Sequence, residues 1–146
     1  MKRLIATLAL FALALNLPAA DAGWLTDLDA AKKKAAAEKR HVLIDFTGSD
    51  WCPPCKSLHK TVFMSEEFKR WAKAKKVVLV ELDFPRRKPQ PEAVKAANRN
   101  HSKAFAIRGF PTVVLLDPAG KETFRKVGFG RMSAKDYLAA LETGLK

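Results

Sequence analysis

The run Trp51-Cys52-Pro53-Pro54-Cys55 constrains this chain more than any other feature. It holds the only two cysteines of the 146 residues, two positions apart, between an apolar β-rich run and a helical pattern. Thiols at that spacing, at a strand-to-helix junction, can close into a disulfide and reopen. A structural staple is a poor account, because a disulfide stabilises mainly by closing a long loop and this one is tiny. Structural zinc wants four ligands, and no second cysteine pair exists. Redox chemistry at Cys52 and Cys55 is therefore the first reading. The second is metal handling: His59 lies four residues beyond Cys55 on the same helical face, so Cys52, Cys55 and His59 form a candidate copper or zinc set. Neither reading calls for a resident cofactor.

The N-terminus reads as an export signal. Lys2 and Arg3 precede an apolar stretch, Leu4 to Leu17, broken only by Thr7 and Asn16, and Ala20-Asp21-Ala22 offers the small-x-small cleavage pattern. The apolar stretch is shorter than the ~20 residues a bilayer span needs, so cleavage after Ala22 is expected rather than anchoring. Residues 1–22 are thus expected to be a signal peptide, and residues 23–146 one domain in the periplasm or outside the cell. No cysteine sits at the cut to carry a lipid, and no later apolar run approaches membrane-spanning length.

The formal net charge of +12 falls to +11 once Lys2, Arg3 and Asp21 leave. Export makes a nucleic-acid partner unexpected. The basic clusters Lys32-Lys33-Lys34, Lys73 with Lys75-Lys76, and Arg86-Arg87-Lys88 also lack interleaved aromatics that could stack bases. They read as solvated faces, with attraction to acidic partners or an anionic membrane surface as the second reading. No sizeable insertion suggests a dimerisation element, so a monomer is expected.

Hydrophobic periodicity supplies the element order. Asp27 to Arg40 is rich in Ala, Lys and Glu and reads as a helix anchored by Trp24, Leu25 and Leu28, with Thr26 or Asp27 as cap. Val42 to Phe46 is a strand buried on both faces. A helix from Pro53 through Leu58 and Val62 follows, then a second from Ser65 to Ala74 with Phe68 and Trp71 on one stripe. Val77 to Asp83 is the next strand, 85–91 a charged proline-rich loop, and Glu92 to Ala106 a helix. Thr112 to Leu116 and Glu122 to Val127 read as a hairpin around Pro118-Ala119-Gly120, and Ser133 caps a final helix. A β-α-β crossover gives parallel strands and a hairpin gives antiparallel ones, so an α/β fold is expected, a mixed central sheet with helices on both faces.

This order, with Trp-Cys-x-x-Cys after the first strand and Gly109-Phe110-Pro111-Thr112 before the hairpin, resembles the thioredoxin superfamily from about Trp24 onward. Within it, Asp45 to Cys52 and Glu81 to Pro85 look like exported bacterial thioredoxin-like proteins. The resemblance implies thiol–disulfide exchange with protein substrates, and a redox partner that the sequence does not identify. It makes Cys52 the attacking thiol, nearer solvent at a helix start, and Cys55 the more buried resolving thiol. It makes Pro111 a cis-proline facing the pair, reached through Phe110, and Asp45 the buried acid beneath the pair. Trp51 would flank the site.

Two departures from thioredoxin stand out. One more residue separates Asp45 from Trp51, and Glu81 stands where thioredoxin has a lysine near the aspartate. A second acid there disfavours charge on Asp45, which an apolar strand already makes costly. Pro53 and Pro54 remove two N–H donors that could stabilise a Cys52 thiolate, which leans the pair towards being a reductant.

Overall fold

A computed structural model describes residues 23–146, and the expected signal segment, residues 1–22, lies outside the described residues. The strands are β1 (Trp24–Leu25), β2 (Val42–Thr47), β3 (Val78–Asp83), β4 (Thr112–Leu116) and β5 (Glu122–Val127). They form one sheet in the order β1-β3-β2-β4-β5. β3 runs parallel to β1 and β2, whereas β4 is antiparallel to both β2 and β5. β2 and β4 are buried along their whole length, which is why they read as mostly apolar runs. The thioredoxin-like fold with its mixed sheet is the one the element order implies.

Helices cover both faces. One face packs Leu43, Leu79, Val113 and Leu115 under α2 (Pro53–Leu58), α3 (Glu66–Ala74) and α5 (Ala134–Glu142), through Leu58, Phe68, Tyr137 and Leu141. The other packs Ile44, Phe46, Val80 and Leu116 against Leu28, Ala31 and Ala35 of α1 (Leu28–Glu38). Phe105 and Ile107, just past α4 (Glu92–Ala104), close that second layer. Each fully buried Leu or Phe contributes about 1.5–3 kcal/mol to holding these layers. Asp27, Ser65 and Ser133 cap their helices by accepting from Ala30, Phe68 and Asp136 N–H groups.

The expected elements shift in four places. Trp24-Leu25 is not a helix anchor but a two-residue strand, paired Trp24 to Leu79 and Leu25 to Val80, too short to show any periodicity. α1 stops at Glu38 because Lys39 turns left-handed (φ 53°). α4 stops at Ala104, with Ala106 likewise left-handed at φ 51°. The helix after Pro53 widens at His59–Phe63 into a π-helical turn, which no residue preference announces.

Register fixes what meets at one end of the sheet. Thr47 pairs with Asp83, and Phe46 with Thr112. The C-terminal ends of β2 and β3 and the start of β4 therefore share an edge, where the cysteine segment, the charged loop and Phe110-Pro111 converge.

Candidate active site

The cysteine segment leaves β2 through a tight turn in which the Trp51 and Cys52 N–H groups both donate to the Gly48 carbonyl. Cys52 is the N-cap of α2, extended at φ −98°, and Pro53 and Pro54 fill the first two helical positions. Their missing N–H groups fall where a helix has no internal acceptor, so the helix tolerates both. The first free amide, Cys55 N–H, donates to Cys52 Sγ at 3.3 Å. Cys52 and Cys55 form a disulfide with a Cα–Cα separation of 5.3 Å. Each is only 3% exposed, so the expected contrast between an open Cys52 and a covered Cys55 is absent from this oxidised form. The contrast that remains is one of position: Cys52 receives the amide, and Cys55 lines a cavity of about 300 Å³ with Lys56, His59, Glu81 and Lys88.

Trp51 anchors the surroundings. Its Nε1–H donates to the Phe84 carbonyl at 2.8 Å, its ring meets Phe110 edge-on at 5.8 Å, and the Arg86 guanidinium lies 3.8 Å over it. The Phe110–Pro111 peptide is cis, Pro111 is buried, and Phe110 also packs 5.2 Å from Phe84. Asp50 accepts the backbone N–H groups of Arg86, Arg87 and Lys88 at 3.0, 2.7 and 2.9 Å. Those amides, Arg86's foremost, hold its carboxyl at a pKa of about 2. Asp83 in turn accepts from Ser49 N–H and Oγ–H. The turn carrying Trp51 is thus laced to the loop after β3. Sequence reasoning missed Asp50, Asp83, Phe84 and Arg86, because their partners lie more than 30 residues away and no local spacing marks them.

Gly48 is fixed by this packing. A Cβ there would sit 2.5 Å from Cε2 of Trp51, closer than carbon atoms approach. Gly48→Ala should push the indole off its Phe84 hydrogen bond and out from under Arg86. We expect destabilisation of about 1–3 kcal/mol by urea unfolding, together with a shift in tryptophan fluorescence. A change within ~0.5 kcal/mol would show that Trp51 is not seated there.

Asp45 is 3% exposed, and its Oδ1 has no hydrogen-bond partner. Burial pushes its pKa well above the usual carboxylate range, and the charges of Glu81 and Asp83 push it further. Glu81 is its register partner on β3 and is itself raised, by burial first and then by Asp83, with His59 and Lys88 opposing. Tyr137, fully buried in the same layer, also has an unpartnered hydroxyl; burial raises its pKa and Asp45 adds to the effect. Glu81, rather than Asp45, lines the cavity at Cys55. Among the described residues no group of three His, Cys, Asp or Glu side chains is placed to hold a metal ion. Cys52, Cys55 and His59 are thus not brought together as a ligand set, and the two sulfurs are bonded to each other.

Residues 28–145 match the thioredoxin-like domain family. The chain is 31% identical over 116 residues to the disulfide bond reductase DsbH of Chlamydia pneumoniae, covering 80% of this chain and 69% of that protein. It is 31% identical over 132 residues to the thioredoxin-related protein DsbJ of the same organism, covering 84% of this chain but only 38% of DsbJ. A solved structure of a DsbH oxidoreductase superposes with a TM-score of 0.76 at 29% identity, covering 84% of this chain and 83% of that one. A disulfide-bonded Cys-x-x-Cys at the first turn of α2, a cis-proline before β4 and these relatives agree: this chain belongs to the thioredoxin-like family.

Proposed function

We propose that this protein is an exported thiol–disulfide oxidoreductase that reduces or isomerises protein disulfides through Cys52 and Cys55. The observation that carries the reading is the Cys52–Cys55 disulfide seated at the first turn of α2. In the reduced protein, the Cys52 thiolate attacks one sulfur of a substrate disulfide. A bond forms between Cys52 and that sulfur, and the other substrate sulfur leaves as a thiolate that takes a proton. The Cys55 thiolate then attacks Cys52 Sγ, which forms the intramolecular disulfide and releases the second substrate thiol. Two electrons pass from the pair to the substrate, and a reductant of the dithiol class must restore the pair.

Asp45 and Glu81 supply the proton bookkeeping. A buried carboxyl whose pKa is raised is a stronger base once ionised, which suits a group that exchanges a proton with Cys55, and Glu81 lines the Cys55 cavity. Trp51, Phe110 and Pro111 form the apolar wall against which a substrate backbone would lie. The N-terminal signal pattern supports export, and among the described residues no helix is long and apolar enough to cross a membrane.

Pro53 and Pro54 leave a single amide, that of Cys55, for the Cys52 sulfur, so the reduced form gains little stabilisation. Equilibration against glutathione should place the pair nearer the reducing thioredoxin value of about −270 mV than the oxidising extreme near −120 mV. With dithiothreitol as donor, the protein should then speed the precipitation of insulin as its disulfides are reduced. A potential above about −160 mV would make the protein an oxidase, and failure to act on insulin at any potential would remove the oxidoreductase reading.

A further inference from the structure

A positive rim is built against the disulfide, and thiol exchange itself does not require it. The segment from Phe84 to Pro91 carries Arg86, Arg87 and Lys88 and no carboxylate. Arg86 is stacked on Trp51, the residue preceding Cys52. The one ionised group holding this loop, Asp50, is engaged by the three backbone amides rather than by the side chains. The loop cations are therefore positioned without a side-chain ion pair among the described residues, and Lys88 lies within electrostatic reach of Glu81. Arg87 is exposed, and its side chain joins no hydrogen bond or ion pair among the described residues; Lys88 Nζ donates only to the neutral Ser49 Oγ. Lys56, exposed beside Cys55, adds a fourth cation without a described ion-pair partner. Elsewhere a few cations are matched three or four residues away: Lys34 with Glu38, Lys69 with Glu66, Lys95 with Glu92, Arg125 with Glu122.

We propose that Arg86, Arg87 and Lys88, with Lys56, form a docking rim that selects protein partners carrying acidic residues beside their disulfide. The inference rests on the oxidoreductase reading and names the partner chemistry of that same site. The physics is charge steering. Like-signed charges fixed around a reactive centre raise the encounter rate of an oppositely charged partner and repel the alternatives. Arg86 adds orientation, because a guanidinium stacked flat on an indole still offers its N–H edges to a carboxylate.

The test uses two peptides with the same central disulfide, one flanked by glutamates and one by lysines, and the neutral reagent hydroxyethyl disulfide. At low salt the reduced protein should consume the glutamate peptide about tenfold faster or more. The ratio should fall towards one as added salt shortens the screening length to a few ångströms, at roughly 0.5 M and above. Arg87→Glu keeps the backbone amide that Asp50 needs; it should cut the ratio at least about threefold while leaving hydroxyethyl disulfide reduction unchanged. Equal rates for the two peptides, with both reduced, would overturn the rim and leave the oxidoreductase reading standing. Reduction of neither peptide nor the neutral reagent would remove both. Equal peptide rates together with Arg87-dependent binding to phosphatidylglycerol vesicles would assign the loop to a membrane contact and also overturn the proposal.

Discussion

Cys55→Ser should turn this protein into a covalent trap, with partner proteins held on Cys52 as reducible high-mass adducts. Exchange runs through a mixed disulfide that only the second thiol resolves, so removing that thiol strands the intermediate. Exposure does not choose between the two sulfurs, since both are 3% accessible when oxidised. Position chooses. Cys52 Sγ lies at the cap of α2 and keeps the Cys55 N–H, a donor that favours a thiolate; Cys55 lies one turn in and shares a cavity with Glu81, whose pKa is raised. Cys52→Ser should accumulate few adducts, and both variants should fall to background in insulin reduction. Adducts on the Cys52→Ser variant alone would reverse the assignment. If neither variant trapped anything and copper or zinc co-purified stoichiometrically with the unaltered protein, metal handling would replace exchange. The trapped partners also bear on the rim: their disulfides should lie in acidic segments.

Much of this arrangement is legible in the sequence, for reasons specific to particular elements. β2 and β4 are buried on both faces, so each appears as a mostly apolar run, β2 broken only by Asp45 before its final Thr47. The caps at Asp27, Ser65 and Ser133 are local chemistry and fall where their side chains predict. The segment from Trp51 to Cys55 carries its own geometry, because two prolines can open a helix but cannot continue one. What stayed hidden depends on long-range partners. β1 exists only because β3 offers it an edge. Asp50 looks like an ordinary loop acid until the chain returns 36 residues later to place Arg86 N–H on it. The coverage of Cys52 belongs to the same class. A helix start suggests an open thiol, whereas the assembled edge leaves it as covered as Cys55.

Asp45→Asn should stabilise the oxidised protein at neutral pH while slowing exchange. Asp45 is buried in β2 without a partner for Oδ1, and its folded pKa lies well above the unfolded value of 3.8. The sign of the linkage follows from proton uptake. Between the unfolded and the folded pKa the native state binds more protons than the unfolded chain, so stability falls as pH rises through that window. Below pH ~4 both states carry the proton and the acid costs nothing through ionisation. Above the folded pKa the full cost of a buried carboxylate is present. The asparagine variant has no ionisation to lose on folding, so it should unfold later in urea at neutral pH by about 1–3 kcal/mol. The gap should close steadily as the pH is lowered towards 4, where asparagine and a protonated aspartate are near equals. A gap that is independent of pH, or an asparagine variant that is less stable at neutral pH, would show that Asp45 is ionised and satisfied in the native state. The cost in function should appear in the step that needs a proton acceptor at Cys55. Reduction of a mixed disulfide already formed on Cys52 should slow in the variant, while the initial attack by Cys52 changes little. We propose that Asp45 takes the Cys55 proton in that step; its raised pKa, to which the charge of Glu81 adds, makes its carboxylate the stronger base and is also what costs the fold stability.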